Sequence, residues 1–118
     1  MNLRPITHED RRRRLIEYIS DIPFKRAKVI KVKNEKCVLG KHYHLKSDSV
    51  FYMLTGKAMY TLKSNRKDSR LERGWLFEEE CIFVPKNVVH TFTVYPNSIL
   101  LEAASEPYDK ADEISVTD

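Results

Sequence analysis

The sequence predicts an all-β fold, built as a sandwich or a barrel. From residue 23 to residue 104 the chain is a series of short segments rich in Val, Ile, Phe, Tyr and Thr, the residue types that favour strands. Turn-forming groups separate these segments at 55–56 (TG), 64–69 (SNRKDS) and 95–98 (YPNS). No long amphipathic pattern interrupts residues 28–104. Many short strands at even spacing are typical of a closed or sandwiched β-fold.

The predicted strands follow one another in chain order. The first, AKVIKVK, alternates strictly, with Val29 and Lys31 on one face and Ile30 and Val32 on the other. Seven further short segments are rich in the same strand-favouring residue types, and Gly, Pro, Asn or charged residues flank them. They are KCVLGKHYHL (36–45), SVFYML (49–54), KAMYTLK (57–63), GWLFEEE (74–80), CIFVP (81–85), HTFTVYP (90–96) and SILLEAA (98–104).

Length and composition narrow the class of protein. The chain has 118 residues, of which 42% are hydrophobic and 32% charged, as expected for one globular domain. A net charge of +4 is only mildly basic and is too small to indicate a nucleic acid partner, so none is expected. No apolar run reaches the ~20 residues of a membrane span, and the first residues lack a secretory signal. Two cysteines do not form a disulfide framework, so we expect a cytoplasmic protein with no membrane partner.

A charged N-terminal arm is predicted at residues 1–22, before a β-barrel at 23–114 and a short tail at 115–118. The arm contains HEDRRRRLIEYIS at 8–20. The pattern is compatible with a helix that would place Leu15, Ile16 and Ile19 on one face and the arginine run in water.

Two histidines separated by one tyrosine suggest a functional site. On a strand, His42 and His44 project from one face and Tyr43 from the other. His90 follows the turn after Pro85 and opens another strand. Neighbouring imidazoles can share a substrate group or a metal ion such as Zn, Fe or Ni. They can also be structural, and the pattern alone leaves these alternatives open.

These residues resemble the two short motifs of the cupin superfamily, approximately HxH…E…G and PxGxxH. The matching residues are His42, His44, Gly56, Pro85 and His90. The resemblance implies a single-domain cupin jelly-roll barrel with its site inside. It also implies a metal centre at His42, His44 and His90, holding one divalent ion (Zn, Fe, Ni or Mn) if a metal is bound. Three positions depart from the pattern: Ser49 replaces the acidic ligand, Asn87 a turn glycine and Glu79 a second glycine.

A closer resemblance is to the WxcM-like sugar-nucleotide 3,4-ketoisomerases. It rests on DIPFKRAKVIKVKNEKCVLGKHYH at 21–44 and LLEAASEPYDKADEI at 100–114. Such enzymes move a ketone along a deoxysugar attached to dTDP, by proton transfer and without metal, and they form homodimers. The resemblance implies that His42 and His44 transfer the proton and that His90 lines the pocket. Leu39 stands where the family usually has an arginine, so either the catalytic role is lost or another cation, such as Lys41 or Lys46, takes its place.

Three further side chains are candidates for binding the substrate. Developing negative charge on a substrate oxygen needs a donor, and Tyr52 or Tyr60 could supply a hydroxyl. Glu102 is a carboxylate within an apolar closing strand, so it is expected to be paired or to point into the cavity.

Three functions therefore remain open. The first is an isomerase or epimerase acting on a sugar nucleotide or another small polar carbohydrate. The second is a metal-binding cupin enzyme with a three-histidine site that acts on another small molecule. The third is a non-catalytic cupin that binds a small ligand, an alternative that the departures at Leu39 and Ser49 keep open.

Overall fold

The computed structural model describes residues 2–19 and 23–116, and almost all regular structure in them is β. The strands are β1 (Asn2–Leu3), β2 (Ile6–Glu9), β3 (Arg14–Glu17), β4 (Arg26–Lys31), β5 (Cys37–His44), β6 (Ser49–Thr55), β7 (Lys57–Ser64), β8 (Glu72–Phe77), β9 (Cys81–Val84), β10 (Val88–Val94), β11 (Ile99–Ala104) and β12 (Glu113–Ser115). A single 3₁₀ turn, Lys110–Asp112, precedes β12. The all-β prediction and the three predicted turns are confirmed. In the described residues, no helix has the length and hydropathy that a membrane span requires.

Two antiparallel five-stranded sheets enclose one core. The first has the strand order β1-β9-β6-β11-β4, and the second has the order β12-β5-β10-β7-β8. Side chains that point inward from both sheets form a single apolar cluster, as expected when two sheets pack face to face. Its most buried members are Met53, Ala58, Leu76, Ile82, Phe92, Val94 and Leu100. The cluster fills one end of the space between the sheets, and histidines and charged groups occupy the other end.

The N-terminal arm is a β-hairpin, so the prediction of a helix there is wrong. β2 and β3 pair antiparallel, from Ile6 opposite Glu17 to Glu9 opposite Arg14. The turn forms because the Asp10 carboxylate accepts hydrogen bonds from the backbone N–H groups of Arg12 and Arg13, a local pattern typical of Asp in turns. The predicted helix also included Ser20, which lies outside the described residues.

The hairpin contacts the outer face of the first sheet. Tyr18 stacks on Tyr52, with ring centroids 4.8 Å apart. Arg14 forms an ion pair of 2.8 Å with Glu79 in the turn between β8 and β9. In addition, β1 pairs with β9, which brings the first residues of the predicted arm into the first sheet. The division of the chain into an arm (1–22), a barrel (23–114) and a tail (115–118) stays a prediction.

A bulge in β5 places the HxH histidines. His42 lies opposite His90 on β10, but Thr91 lies opposite Gly40, so Lys41 is an extra residue. Gly40 and Lys41 both have positive φ, of 100° and 61°. A Cβ at position 40 would lie 2.3 Å from the backbone oxygen of His90, so only glycine fits there. The bulge re-aims the strand and brings both histidines inward.

Two departures from the cupin motifs are tolerated by the backbone. Asn87 and Glu79 occupy motif glycine positions, and both adopt left-handed φ angles, 66° and 67°. Asn accepts this conformation better than most residues. The Asn87 N–H also donates to the backbone oxygen of His44, at 2.7 Å, which ties the second motif to the first.

Candidate active site

Three histidines from two neighbouring strands converge at the polar end of the barrel. Ring centroids lie 5.0 Å apart for His42 and His44, 4.6 Å for His42 and His90, and 5.7 Å for His44 and His90. One nitrogen from each ring lies within 4.8 Å of those of the other two. The strand parity of the HxH pair, together with the turn that follows Pro85, thus brings three imidazoles to one place, as the sequence predicts.

His44 is held by a buried carboxylate. Its Nδ1 lies 3.3 Å from Oδ2 of Asp112, and both side chains are buried. The other oxygen of Asp112 accepts the backbone N–H of Lys46 at 2.6 Å. Because a carboxylate accepts hydrogen bonds, Nδ1 of His44 carries the proton of this contact and Nε2 is left with a lone pair. The pair therefore fixes the orientation of the ring and its tautomer.

His90 is neutral at pH 7. Its Nδ1 lies 3.2 Å from the backbone oxygen of Val88, and since a carbonyl only accepts, Nδ1 is the donor. Burial lowers the pKa of His90 to about 4, and the nearby His42 adds to this effect. The Nε2 atom is therefore a hydrogen-bond acceptor or a metal ligand rather than an acid.

His42 contacts an acidic residue of β12 across the strand pair. Its Nε2 lies 3.3 Å from Oε1 of Glu113. Burial lowers the pKa of His42, and the negative charge of Glu113 opposes this effect while the neighbouring His44 reinforces it. His42 is consequently a neutral imidazole near pH 7, the form in which it can take up a proton.

Glu102 is both paired and directed into the cavity. It lies directly opposite Lys28 in the β11–β4 pair, and its Oε1 is 3.2 Å from the Lys28 ammonium. Its Oε2 accepts a hydrogen bond of 3.2 Å from the Ser49 hydroxyl. The serine at the acidic position of the cupin motif therefore binds a carboxylate supplied by another strand.

A cavity of about 150 Å³ joins these groups. Its charged rim includes Arg26 and Lys28, which come from β4, and one wall is the apolar side chain of Leu39. Lys41 and Lys46 do not line this cavity. Lys41 is the exposed extra residue of the bulge, so the two lysines expected to replace the family's arginine are misplaced, and the cations come from β4 instead.

Neither tyrosine expected to bind substrate lines the cavity. Tyr52 alternates with the inward-facing Phe51 and Met53, so it faces the other side of the sheet and lies under Tyr18. Tyr60 points inward but belongs to the apolar core, next to Phe92. Burial raises the pKa of both hydroxyls. The strand face of Tyr52 had to be known to exclude it from the cavity. For Tyr60, which faces inward, the deciding information was its position along the strand, at the apolar end.

The histidine set has the chemistry of a metal site. All three ligands would be neutral nitrogens, and two have the supporting hydrogen bonds that ligating histidines require, to Asp112 and to the carbonyl of Val88. An ion at about 2.1 Å from each nitrogen holds its ligands no more than about 4.2 Å apart. Nitrogens at the 4.8 Å limit of the cluster would have to approach one another by roughly half an ångström to share an ion.

Sequence reasoning did not identify five polar residues around the cavity. They are Arg26, Lys28, Tyr108, Asp112 and Glu113. Alternation along β4 would have placed Lys28 on the face of Ile30, opposite to that of Val29. The position of Asp112 and Glu113 depends on β12 pairing with β5, and no local pattern reports that pairing.

This combination of two facing sheets with a histidine cluster inside defines a cupin of the RmlC type. The chain belongs to the WxcM-like C-terminal (FdtA) family, whose sequence profile matches residues 2–117. A search of curated protein sequences gave no match.

Solved structures of related enzymes share the fold. The TDP-fucose-3,4-ketoisomerase WlaRA from Campylobacter jejuni superimposes with a TM-score of 0.85 at 18% identity, over 97% of this chain and 87% of its own. The TDP-quinovose 3,4-ketoisomerase WlaRB from the same organism gives 0.85 at 24%, over 97% and 90%. A histidine-to-asparagine variant of the 3,4-ketoisomerase QdtA from Thermoanaerobacterium thermosaccharolyticum, in complex with TDP-4-keto-6-deoxyglucose, gives 0.80 at 19%, over 97% and 85%.

Proposed function

We propose that this protein is a sugar-nucleotide isomerase that moves the ketone of a TDP-linked 4-keto-6-deoxysugar between C4 and C3. One observation carries the proposal. The cavity holds His44, oriented by Asp112, beside the neutral His42 and His90. Family membership and the shared fold of the sugar-nucleotide ketoisomerases support the substrate class.

The reaction needs a base and an acid on adjacent carbons. A base removes the proton from C3, and the electron pair of that bond forms the C3–C4 double bond of an enediolate. An acid then delivers a proton to C4, while the hydroxyl proton on O3 is lost and O4 gains one. The atoms balance with no oxidant or reductant, so the reaction consists of proton transfers that positioned imidazoles can perform.

The hydrogen bonds suit His44 to the role of base. Its Nδ1 donates to Asp112, so Nε2 is free to accept a proton, and the carboxylate attracts the positive charge that develops on the ring. His42, 5.0 Å away, is positioned to share the transfer. His90 accepts a hydrogen bond from a substrate hydroxyl, since its Nδ1 donor is already used.

Arg26 of β4 suits the nucleotide part of the substrate. It lines the cavity, and its guanidinium lies 5.6 Å from the exposed ring of Tyr108. A guanidinium carries several N–H donors in a planar fork that matches phosphate oxygens, so Arg26 is suited to bind a diphosphate.

The test is the replacement His44→Asn. Asn keeps one hydrogen bond to Asp112, so folding should be nearly intact. Turnover of TDP-4-keto-6-deoxyglucose should fall by roughly 10²–10⁴-fold, the usual contribution of a positioned acid or base. The exposed His8 of the hairpin provides the matched control, and His8→Asn should keep wild-type turnover. Equal turnover for His44→Asn and wild type would overturn the role of His44.

A metal-binding cupin enzyme is the second candidate, and the three converging imidazole nitrogens favour it. Here the ion would be Zn, Fe, Ni or Mn, and His44→Asn should lower metal content together with activity. Under the first candidate the wild type keeps its turnover and melting temperature in chelator. Metal analysis and paired melting curves with and without chelator distinguish the two. A wild type without metal, chelator response or stabilisation by TDP-sugars would support a cupin without this chemistry.

We propose in addition that the protein is a homodimer. The outer face of the second sheet exposes stacked aromatic rings on its edge strand β8, Trp75 (41% exposed) and Phe77 (50% exposed), 5.8 Å apart. Exposed edge strands and apolar groups favour pairing with another chain. Light scattering at micromolar concentration should give the mass of two chains, and a monomer mass would refute this.

A further inference from the structure

Lys28 brings a positive charge to the imidazole cluster. It comes from β4, directly opposite Glu102 in β11. Its Nζ is 3.2 Å from one oxygen of Glu102, and Ser49 donates to the other oxygen at 3.2 Å. The carboxylate is buried, with 7% of its side chain exposed, whereas 48% of the Lys28 side chain is exposed. The Lys28 ammonium is therefore fixed by the buried carboxylate of Glu102 and remains accessible from the cavity.

The charge of Lys28 acts on the histidines. It is among the causes that lower the pKa of His42 and of His90. The effect on the pKa values is consistent with the positions of the residues, because Lys28, His42 and His90 all line the same cavity.

We propose that Lys28 is a catalytic residue whose ammonium stabilises the enediolate oxygens, and that Glu102 is its positioning residue. The inference rests on the proposed isomerase function. When the C3–H bond breaks and its proton moves to an imidazole, the π electrons of the C4 carbonyl go to O4. The ammonium stabilises that negative charge without transferring a proton itself.

Other cations of the chain are less suited to this role. Leu39 forms an apolar wall of the cavity, and Lys41 and Lys46 do not line it. Arg26 also lines the cavity, but its guanidinium faces Tyr108. Lys28 is the cation whose carboxylate partner lies in the cavity with the histidines.

The test compares Lys28→Gln, Lys28→Arg and Lys31→Gln with wild type. Lys31 is an exposed lysine of the same strand outside the cavity, so its replacement is the matched control. Three quantities are measured: the steady-state constants with TDP-4-keto-6-deoxyglucose, deuterium exchange at C3 of that sugar in heavy water, and TDP affinity by calorimetry.

Lys28→Gln should lower kcat and the C3 exchange rate by roughly 10²–10³-fold, the usual effect of removing one oxyanion donor. KM and TDP affinity should stay within a few-fold, Lys28→Arg should restore most of kcat, and Lys31→Gln should match wild type. A Lys28→Gln variant with wild-type kcat would overturn the inference alone. An effect on KM and TDP affinity only would also overturn it, since that result assigns Lys28 to binding.

The double variant Lys28→Gln/Glu102→Gln tests the positioning role and guards against misfolding. Lys28→Gln leaves the buried Glu102 with only Ser49 as partner, whereas the double variant removes both charges. If Glu102 acts through Lys28, Glu102→Gln alone lowers kcat, and it has no further effect in the Lys28→Gln background. Additive losses would overturn the positioning role. A wild type that binds TDP but shows neither turnover nor C3 exchange would overturn the proposed function itself, and the role of Lys28 with it.

Discussion

The two ends of the barrel interior are built from the same strands and have opposite chemistry. Three strands carry inward-facing residues that change from polar to apolar along their length. These are His90, Phe92 and Val94 on β10, Ser49, Phe51 and Met53 on β6, and Glu102 and Leu100 on β11. At the polar end the buried groups have named partners, such as Asp112 for His44. At the apolar end the contacts are those of an ordinary core.

Along a single strand, the residues that stabilise the fold are therefore separate from the residues of the candidate site. Burial of apolar area at one end supplies the favourable free energy of folding, while buried polar groups at the other end cost free energy unless they are satisfied. A substitution two residues further along a strand should therefore change which property is lost.

The largest stability effect is expected for Leu100→Ala. Leu100 is fully buried in the apolar end, and shortening such a side chain costs about 2–5 kcal/mol through lost burial and a cavity. Denaturant unfolding should show this loss, while turnover per folded molecule should stay close to wild type. A variant that unfolds at the wild-type midpoint, or that loses turnover while folded, would contradict the separation of the two ends.

The polar end should make stability depend on pH. Folded His90 stays neutral down to about pH 4, whereas in the unfolded chain it gains a proton below its usual pKa of 6.5. The unfolded state therefore binds more protons between these values, and stability falls as pH falls through this window. The loss should be on the order of 3 kcal/mol by pH 4, and burial of His42, whose pKa is also lowered, acts in the same direction.

The measurement is denaturant unfolding at several pH values from 7.5 to 4.5 for wild type and His90→Gln. The variant has no group to titrate at this position, so its pH slope should be smaller. Equal slopes for the two proteins would show that His90 is protonated as readily in the folded state as in the unfolded chain.

A smaller effect is expected for Ser49→Ala. The Ser49 hydroxyl donates to the buried carboxylate of Glu102, and losing a hydrogen bond to a charged group costs about 1.5–3 kcal/mol. Glu102 keeps its contact with Lys28, so turnover should fall only a few-fold. A loss as large as that of His44→Asn would show that Ser49 takes part in the chemistry.

Local patterns predicted the strands, the turns and the convergence of the histidines. Alternation fixes which residues share a face, and the bulge at Gly40 preserves the inward direction of His42. The prediction of a helix in the arm was wrong because the sequence pattern is too short to be decisive. Leu15 and Ile16 fit one turn of an amphipathic helix, and they also fit a short strand. Only the pairing of β2 with β3 distinguishes the two structures.

The partners of the histidines could not be predicted in the same way. Asp112 and Glu113 reach the site through the pairing of β12 with β5, more than sixty residues apart in sequence. Lys28 reaches Glu102 through the register of β4 on β11. Such contacts depend on sheet order and register, which are tertiary properties.

The smallest effect is expected for Tyr52→Phe, on the outer face of the first sheet. Tyr52 is buried against Tyr18, and its hydroxyl has no hydrogen-bond partner among the described residues. Removing a buried hydroxyl without a partner removes a desolvation cost, so stability should stay the same or rise by a few tenths of a kcal/mol, about the error of the measurement. Turnover should be unchanged because the ring faces away from the cavity. Unfolding midpoints and kcat for Tyr52→Phe, beside Leu100→Ala as the destabilised reference, measure both. A tenfold loss of turnover would place the Tyr52 hydroxyl in contact with the substrate, contrary to the parity of β6.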